Sequence, residues 1–255
     1  MRVCAAGVDR SAARFLCALV RTNFLSKITL TFDNGPTPEV TAQVLDILAA
    51  RDIKTTFFVR GKRLADPGGM EVARRALDEG HWLGNHTWFH ETPLGRQPAD
   101  LALSEVVRTT EQLALLPPPN MLFRPMGSGV IGPHLMQTVV IEHLLAERYT
   151  CVLWDSVPGD FRDPHGWMPR GLADVRNAKV GNKDWPGEDW IVQVLHDIPT
   201  GAMAHLPAYL DELLAEGHSF VQEYPAHVTP IVEGKIVASL KPYCQDCGPE
   251  MEPQS

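Results

Sequence analysis

Two short polar runs contain the residue types that metal-assisted hydrolysis needs. Asp33 and Asn34 end the apolar run at residues 28–34, and His86 and His90 bound the run H-T-W-F-H. Two histidines four positions apart in a helical turn or a tight loop can share one cation, and an acid or amide oxygen would complete an open three-ligand site. The alternatives are an ordinary Asx turn after residue 32 and a chance pair of histidines.

The segments around these runs predict where the polar residues lie. Residues 28–32 alternate apolar side chains with threonines, which predicts a strand that ends at the Asp-Asn turn. A helix is predicted after Thr37, with Pro38 in its first turn, and residues 55–59 predict a second strand. Gly84 and Asn85 precede the histidines, which favours a loop at a strand end over an exposed helix.

The remainder of the chain repeats this alternation. Further strands are predicted at 121–123, 149–154, 190–195 and 219–222, and further helices at 70–79, 99–116, 133–147, 169–179 and 203–216. Each polar motif comes just after a strand. The pattern therefore predicts an α/β fold, a parallel sheet or barrel with its site at the carboxyl ends of the strands.

These motifs resemble those of a known family. T-F-D-N-G-P at 31–36 is similar to the T-F-D-D-G-P motif of the polysaccharide deacetylases (the NodB-homology domain, carbohydrate esterase family 4), and H-T-W-F-H is similar to their H-[ST]-x-x-H. F-R-P-M-G resembles their Arg-Pro motif, W-D-S-V-P-G-D-F their D-x-x-D-W region and V-L-H-D their final L-x-H. The resemblance covers roughly residues 27–222 and implies a distorted (β/α)7 barrel.

The resemblance implies a role for each matching residue. Asp33 is the expected catalytic base, and Asn34, His86 and His90 are the expected ligands of a divalent metal. Zinc is the first expectation, with cobalt or manganese as alternatives. Arg124 is expected to pair with Asp33 and to hold its orientation.

A second group of residues is expected to serve the departing amine and the substrate. His196 matches the family's acid, and an imidazole that titrates near neutral pH suits that role. Asp160 is expected to tune this histidine. The backbone N–H of Met126 is a candidate oxyanion donor, Phe161 a candidate for lining the substrate groove, and Trp88 a candidate for stacking on a sugar ring.

Four positions depart from the family's pattern. Asn34 replaces an aspartate, so the site loses one negative charge; lower metal affinity is expected, with Asp33 as an alternative ligand. Phe161 replaces a tryptophan and Val157 an aspartate in the D-x-x-D-W region. Val194 stands at the leucine of the last motif.

Composition narrows the class of protein. The 255 residues are 44% hydrophobic and 21% charged, as expected for one sizeable domain. The net charge of -8 argues against nucleic acid or an anionic membrane as partner. The apolar run at 15–20 is short and is followed by Arg21, which favours a leading helix over a signal peptide or membrane insertion, and a cytoplasmic location over secretion.

The ends of the chain and the cysteines are less informative. Residues 1–26 form a leading segment, residues 27–222 the deacetylase-like domain, and residues 223–255 an extension expected to lie on the surface or to fray. Five cysteines are too scattered for a disulfide framework, which favours a reducing compartment. Cys244 and Cys247 form a lone C-x-x-C, interpreted as incidental.

The sequence thus supports the hypothesis of a metal-dependent hydrolase that removes N-acetyl groups from an amino sugar or polysaccharide. One alternative is an amidase of the same fold acting on a small non-sugar amide or a cyclic ureide, since the D-x-x-D-W region departs from the family. Another is a non-catalytic carbohydrate-binding relative, which Asn34 motivates. The oligomeric state stays open.

Overall fold

A curled, mostly parallel sheet forms the centre of the computed structural model, which describes residues 25–117, 120–178, 189–248 and 251–253. Most of the leading segment therefore lies outside the described residues. The strands of the barrel are β1 Lys27–Asp33, β2 Thr56–Val59, β3 Trp82–Asn85, β4 Leu122–Phe123, β5 Thr150–Cys151, β6 Trp190–His196 and β7 Ser219–Phe220. Strands β6, β1, β2, β3, β4 and β5 lie side by side in that order and are parallel, and β7 pairs with the start of β1.

The two edges of this sheet meet and close a distorted barrel. Just after β5 the chain reaches β6, where Ser156 forms an isolated parallel bridge with Gln193. The N–H of Asp155 donates to the carbonyl of Val192, and the N–H of Val194 donates to that of Ser156, each at 2.9 Å. The predicted α/β barrel is confirmed.

Helices cover the outside of the barrel. They are α1 Pro38–Ala49, α2 Gly61–Ala65, α3 Gly69–Asp78, α4 Ala99–Leu113, α5 Thr138–Ala146, α6 Trp167–Arg176 and α7 Leu206–Ala215. In α1, Pro38 lies in the first turn, where an N–H has no partner within the helix, so its missing N–H costs no hydrogen bond. Val44, Leu45 and Leu48 form the buried face of this helix. Among the described residues, no helix combines the length and the apolar character needed to cross a bilayer.

Strand β5 is shorter than the sequence predicts. The pattern predicts a strand over residues 149–154, whereas the structure has only Thr150–Cys151. The N–H of Val152 still donates to Phe123 on β4, but the N–H of Leu153 donates to the carbonyl of Val228 at 2.8 Å. The strand ends because the chain changes its hydrogen-bonding partner, first to the C-terminal segment and then to β6.

The C-terminal residues pack against the barrel instead of fraying. β8 Ile231–Val232 pairs antiparallel with β5, and β9 Lys235–Ile236 pairs antiparallel with β8. Ile231, Leu240 and Met251 are at most 2% exposed. These side chains belong to the same apolar cluster as residues of α5 and β4.

The prediction that the C-x-x-C pair is incidental is wrong. Cys244 and Cys247 form a disulfide. Between them, Asp246 accepts a hydrogen bond at 2.8 Å on Oδ1 from the N–H of Thr138, the first residue of α5. The closed loop thus satisfies one of the N–H groups that a helix start leaves without a partner.

Candidate active site

The strand register brings residues from distant parts of the chain to one rim of the barrel. Asp33 ends β1 and lies in register with His196, which ends β6. His86 and Arg124 are the first residues after β3 and β4, whose last residues are also in register. All four side chains therefore gather at the carboxyl edge of the sheet, as the sequence predicts for a parallel barrel.

A buried arginine fixes the carboxylate of Asp33. Arg124 is 0% exposed, and its Nη1 donates to Asp33 Oδ1 at 2.8 Å and to Thr31 Oγ1 at 2.7 Å. The remaining donors Nε and Nη2 reach the carbonyls of Val152 and Leu153, both at 3.2 Å. A buried charge is stable only when it is paired and hydrogen-bonded. Asp33 is consequently held in one orientation, with Oδ2 directed away from Arg124 towards the histidines.

Asn34 presents an amide oxygen that lacks a partner. Its φ of 76° is in the left-handed region, which asparagine tolerates better than most residues. Its Oδ1 is buried and accepts no hydrogen bond among the described residues. Leaving such an acceptor unsatisfied costs about 1–3 kcal/mol. A bound cation would offset that cost.

The two predicted histidines are held as neutral imidazoles. His86 Nδ1 lies 2.8 Å from the carbonyl of Arg124, so Nδ1 carries the proton and Nε2 is left with its lone pair, 3.4 Å from Asp33 Oδ2. Burial lowers the pKa of His86 to about 3. Burial, and then the proximity of His86, hold the pKa of His90 well below its usual range. The rings of His86 and His90 have centroids 4.4 Å apart.

The donors at this rim fit a divalent cation in their chemistry. Neutral imidazole nitrogens, an unpartnered amide oxygen and a carboxylate are ligands that zinc, cobalt and manganese accept. The donor atoms of Asp33, His86 and His90 do not all lie within 4.8 Å of one another. The fit therefore rests on the unsatisfied oxygen of Asn34 and on the unprotonated Nε2 of His86.

A second group of potential ligands lies in the C-terminal segment. In the part of the chain that the structure describes, the one set of three acidic, histidine or cysteine donors within 4.8 Å of each other is Cys244, Asp246 and Cys247. The two sulfurs are joined in a disulfide, so neither is available as a thiolate ligand.

His196 is oriented by Asp160, as the resemblance implies. Asp160 is fully buried; its Oδ2 accepts the N–H of His196 and its Oδ1 lies 2.8 Å from His196 Nδ1. Burial alone would lower the pKa of His196, but the hydrogen bond and the charge of Asp160, assisted by Asp33 and Asp197, raise it above its ordinary value. Nδ1 faces Asp160, which leaves Nε2 as the nitrogen that can exchange a proton with a ligand.

An open pocket of about 240 Å³ lies between these groups. Its wall includes all three expected ligands as well as Asp33 and His196. Met126 and Phe161, both expected to contact substrate, also line it. The ring of Phe161 packs on that of His196 with centroids 4.7 Å apart. Among the described residues none accepts a hydrogen bond from the N–H of Met126, which keeps that donor available.

Trp88 lies outside this pocket, contrary to the expected stacking on a sugar ring. It is 8% exposed and is covered on one side by the guanidinium of Arg108, 4.1 Å from the ring centroid. On another side it lies so close to Gly61 that a Cβ there would clash. Its indole is part of the packing beneath the histidine loop, and the neighbouring Phe89, which is 39% exposed, is the aromatic residue that reaches solvent.

Several residues of the site are absent from the sequence-based prediction. Trp154 and Arg162 line the pocket from the loop that carries Asp160. Asp197 is buried behind the Asn34 turn, where its Oδ2 accepts the hydroxyl of Thr41 at 2.5 Å, and burial raises its pKa to about 6. Trp154 and Asp197 belong to the quoted motifs W-D-S-V-P-G-D-F and V-L-H-D, so a signal was present for both, whereas nothing in the local pattern distinguishes Arg162.

The fold and the site define a class: a parallel α/β barrel that collects an oriented carboxylate, neutral histidines and an oriented imidazole at one rim. Residues 25–130 match the family model described as polysaccharide deacetylase. Over these residues the chain is therefore similar to the polysaccharide deacetylase family, in agreement with the resemblance of its motifs.

Individual relatives agree with this assignment. The peptidoglycan-N-acetylglucosamine deacetylase PgdA of Listeria monocytogenes is 27% identical over 199 residues, which are 76% of this chain and 37% of that protein. The peptidoglycan-N-acetylglucosamine deacetylase of Bacillus cereus is 29% identical over 76% of this chain and 84% of its own length. The structure of the peptidoglycan deacetylase PdaC of Bacillus subtilis superposes with a TM-score of 0.60 and 26% identity over 78% of this chain and 89% of that one. The chain thus spans little more than a third of the length of the Listeria relative.

Proposed function

We propose that this protein is a hydrolase that removes N-acetyl groups from amino sugars of a polysaccharide. The observation that carries the proposal is the pairing of two proton-transfer groups across one pocket. Asp33, held by Arg124, and His196, held by Asp160, end neighbouring strands in register. Amide hydrolysis needs one group to take a proton from water and another to give a proton to the departing amine.

Asp33 takes the proton from the attacking water. Arg124 occupies Oδ1, so Oδ2 is the oxygen that faces the pocket and accepts the proton. His196 then donates from Nε2 to the amine nitrogen as the amide bond breaks. The N–H of Met126 stabilises the negative charge that develops on the carbonyl oxygen of the acetyl group.

A divalent metal, zinc in the first instance and cobalt or manganese as alternatives, belongs to the proposal. Asn34, His86 and His90 would hold it, with Asp33 within reach through Oδ2. Such a metal lowers the pKa of a bound water and polarises the acetyl carbonyl. The neutral state of both histidines supports this role, because only the unprotonated nitrogen can ligate.

The names of the relatives support an amino-sugar polymer as substrate. The Listeria and Bacillus cereus proteins are named for N-acetylglucosamine in peptidoglycan. A pocket that is open at the rim suits one unit of a long chain better than a small enclosed amide.

Acetate release tests the proposal. N-acetylated chito-oligosaccharides and peptidoglycan fragments are incubated with metal-stripped protein, with and without added zinc, cobalt or manganese. We expect release only after metal addition, and its loss in the His86→Ala and His90→Ala variants. His165→Ala, at an exposed histidine outside the pocket, is the matched control. Release that persists in the double His86→Ala, His90→Ala variant contradicts the metal-dependent reaction.

Asn34 favours one second candidate, a carbohydrate-binding protein without turnover. A neutral amide in place of a carboxylate weakens the hold on a cation. This candidate predicts that the same oligosaccharides bind without release of acetate under any of the metals. Release from a small non-sugar amide and from no sugar would favour an amidase instead.

A further inference from the structure

Arg162 is placed at the mouth of the pocket where it can contact a bound ligand. It follows Phe161 and lines the same pocket as Asp33 and His196. Its guanidinium lies 4.9 Å from the centroid of the Phe161 ring, and its Nη2 makes a long hydrogen bond of 3.5 Å to the carbonyl of Ser128 on the facing loop. The side chain thus reaches across the opening of the pocket and remains exposed to solvent.

The charge of Arg162 is not neutralised by the described residues. Within that part of the chain no carboxylate lies within 4.0 Å of its guanidinium, although the protein is acidic overall. The adjacent Asp163 pairs instead with Arg170, at 3.0 Å. One positive charge is therefore left at the pocket mouth.

The other charges of the pocket are already balanced. Among the described residues Asp33 is the one carboxylate on the pocket wall, and it is paired with Arg124 at 2.8 Å. Asp160, behind the wall, is paired with His196. Asn34 is neutral, whereas a carboxylate at its position would repel an anion. The pocket is consequently better suited to a negatively charged substrate than to a neutral one.

We propose that Arg162 binds a carboxylate of the substrate, so that the N-acetylated sugar, or the sugar bonded to it, is acidic. This inference rests on the proposed function and narrows its substrate class. A guanidinium can donate two parallel hydrogen bonds to a carboxylate. One guanidinium balances a single negative charge, which favours a carboxylate over a phosphate dianion.

The test compares an N-acetylated oligosaccharide that contains a carboxylate-bearing sugar with its methyl ester. The metal-loaded protein is expected to turn over the acid with a kcat/KM about tenfold higher than the ester, a moderate value because the arginine is exposed. In Arg162→Gln the acid-to-ester ratio should fall to about one, and in Arg162→Glu it should reverse. Arg74→Gln, at an exposed arginine of α3, should leave the ratio unchanged.

A binding measurement separates this inference from the proposed function. Calorimetry with the deacetylated acid and its ester requires no turnover. Tighter binding of the acid that depends on Arg162, without acetate release from either substrate, would uphold the anion site and refute the deacetylase. Equal binding of acid and ester, or a preference that survives Arg162→Gln, would overturn the inference whatever the activity.

Discussion

In the proposed metal site, the amide of Asn34 is the residue expected to set the strength of metal binding. Its Oδ1 is buried without a partner among the described residues, and the adjacent Asp33 is paired with Arg124. A carboxylate at this position would place a second negative charge beside Asp33. Without a cation that charge is unfavourable, and with a cation it is favourable.

Asn34→Asp is therefore expected to change metal affinity and stability in opposite senses. Metal affinity should rise by about 10–100-fold, the size of effect typical of altered groups at metal sites. The metal-free variant should unfold at a lower temperature than the metal-free parent, because two carboxylates then adjoin in a buried site. Competition with a chromophoric chelator measures the first effect, and thermal unfolding measures the second.

The control for this exchange is Asn120→Asp, at an exposed asparagine that precedes β4 and does not line the pocket. It adds the same charge without adding a ligand. An Asn34→Asp variant that gains no metal affinity would show that Asn34 does not face the cation.

His196 is expected to set the alkaline limit of the reaction. Its pKa is raised mainly by Asp160, so it stays protonated, and able to donate, to a higher pH than an ordinary histidine. Asp160→Asn removes that charge, so the pKa of His196 should fall and the alkaline limb of kcat/KM should move to lower pH, by roughly one unit. The pH profile of Asp163→Asn, an exposed neighbour, should match that of the parent. An unmoved alkaline limb in Asp160→Asn would mean that another group is the acid.

At the scale of elements, helix α4 holds the loop that carries the two histidines. Glu105 of α4 is 9% exposed, and its Oε2 accepts the N–H of Trp88 at 2.8 Å and that of Phe89 at 2.7 Å. The loop needs this support because Thr87 and His90 have φ values of 66° and 56°. Such left-handed conformations cost of order 1–3 kcal/mol each for residues other than glycine.

Glu105→Ala should release the histidine loop. Two backbone N–H groups lose their acceptor, which should destabilise the protein by about 2–3 kcal/mol and weaken metal binding. Glu105→Gln keeps a side-chain oxygen and should therefore lose less stability and less metal affinity than Glu105→Ala. Denaturant unfolding and metal titration measure the two effects, with Glu111→Ala, an exposed glutamate on the same helix, as the control. Metal affinity that stays unchanged in Glu105→Ala would contradict the support of the loop by α4.

The contrast between Glu105 and Asp33 indicates how much of the site the sequence could predict. Asp33, His86, Arg124 and His196 each end a strand or directly follow one, and parallel strands bring their carboxyl ends together, so local patterns suffice to group them. Glu105 lies 15 residues beyond His90, in a helix that its other residues are sufficient to predict. Nothing in the sequence therefore singles out Glu105. Its role depends on the direction in which α4 packs, and no local spacing encodes that direction.

The strands show the same limit. The long alternating run of β1 is predictable because it pairs with β6 along its whole length and with β2 over residues 31–33. Strands β4 and β5 have two residues each in their ladders, and β5 ends where the chain exchanges partners. A run of apolar residues marks such a strand, but the position of its end is decided by residues from far along the chain.

At the scale of the whole molecule, the barrel is completed by residues that the sequence places outside it. The extension after residue 222 is rich in proline and acidic residues and has no period, so its packing could not be predicted. In the structure, the N–H of Leu153 donates to Val228, and His227 lies 2.9 Å from Asp155. Asp155 in turn accepts the N–H of Val192 on β6, so the extension braces the seam where the barrel closes.

Two adjacent residues of β8 test this bracing. Ile231 is 0% exposed and in contact with the core, whereas Val232, the next residue, is 37% exposed. Ile231→Ala should lower the free energy of unfolding by about 2–5 kcal/mol, and Val232→Ala by well under 1 kcal/mol. Because Ile231 lies opposite Cys151 on β5, the loss of packing should destabilise the part of the sheet that lies next to Arg124. Urea unfolding followed by circular dichroism gives both values, and equal losses from the two substitutions would show that the extension contributes no core to the barrel.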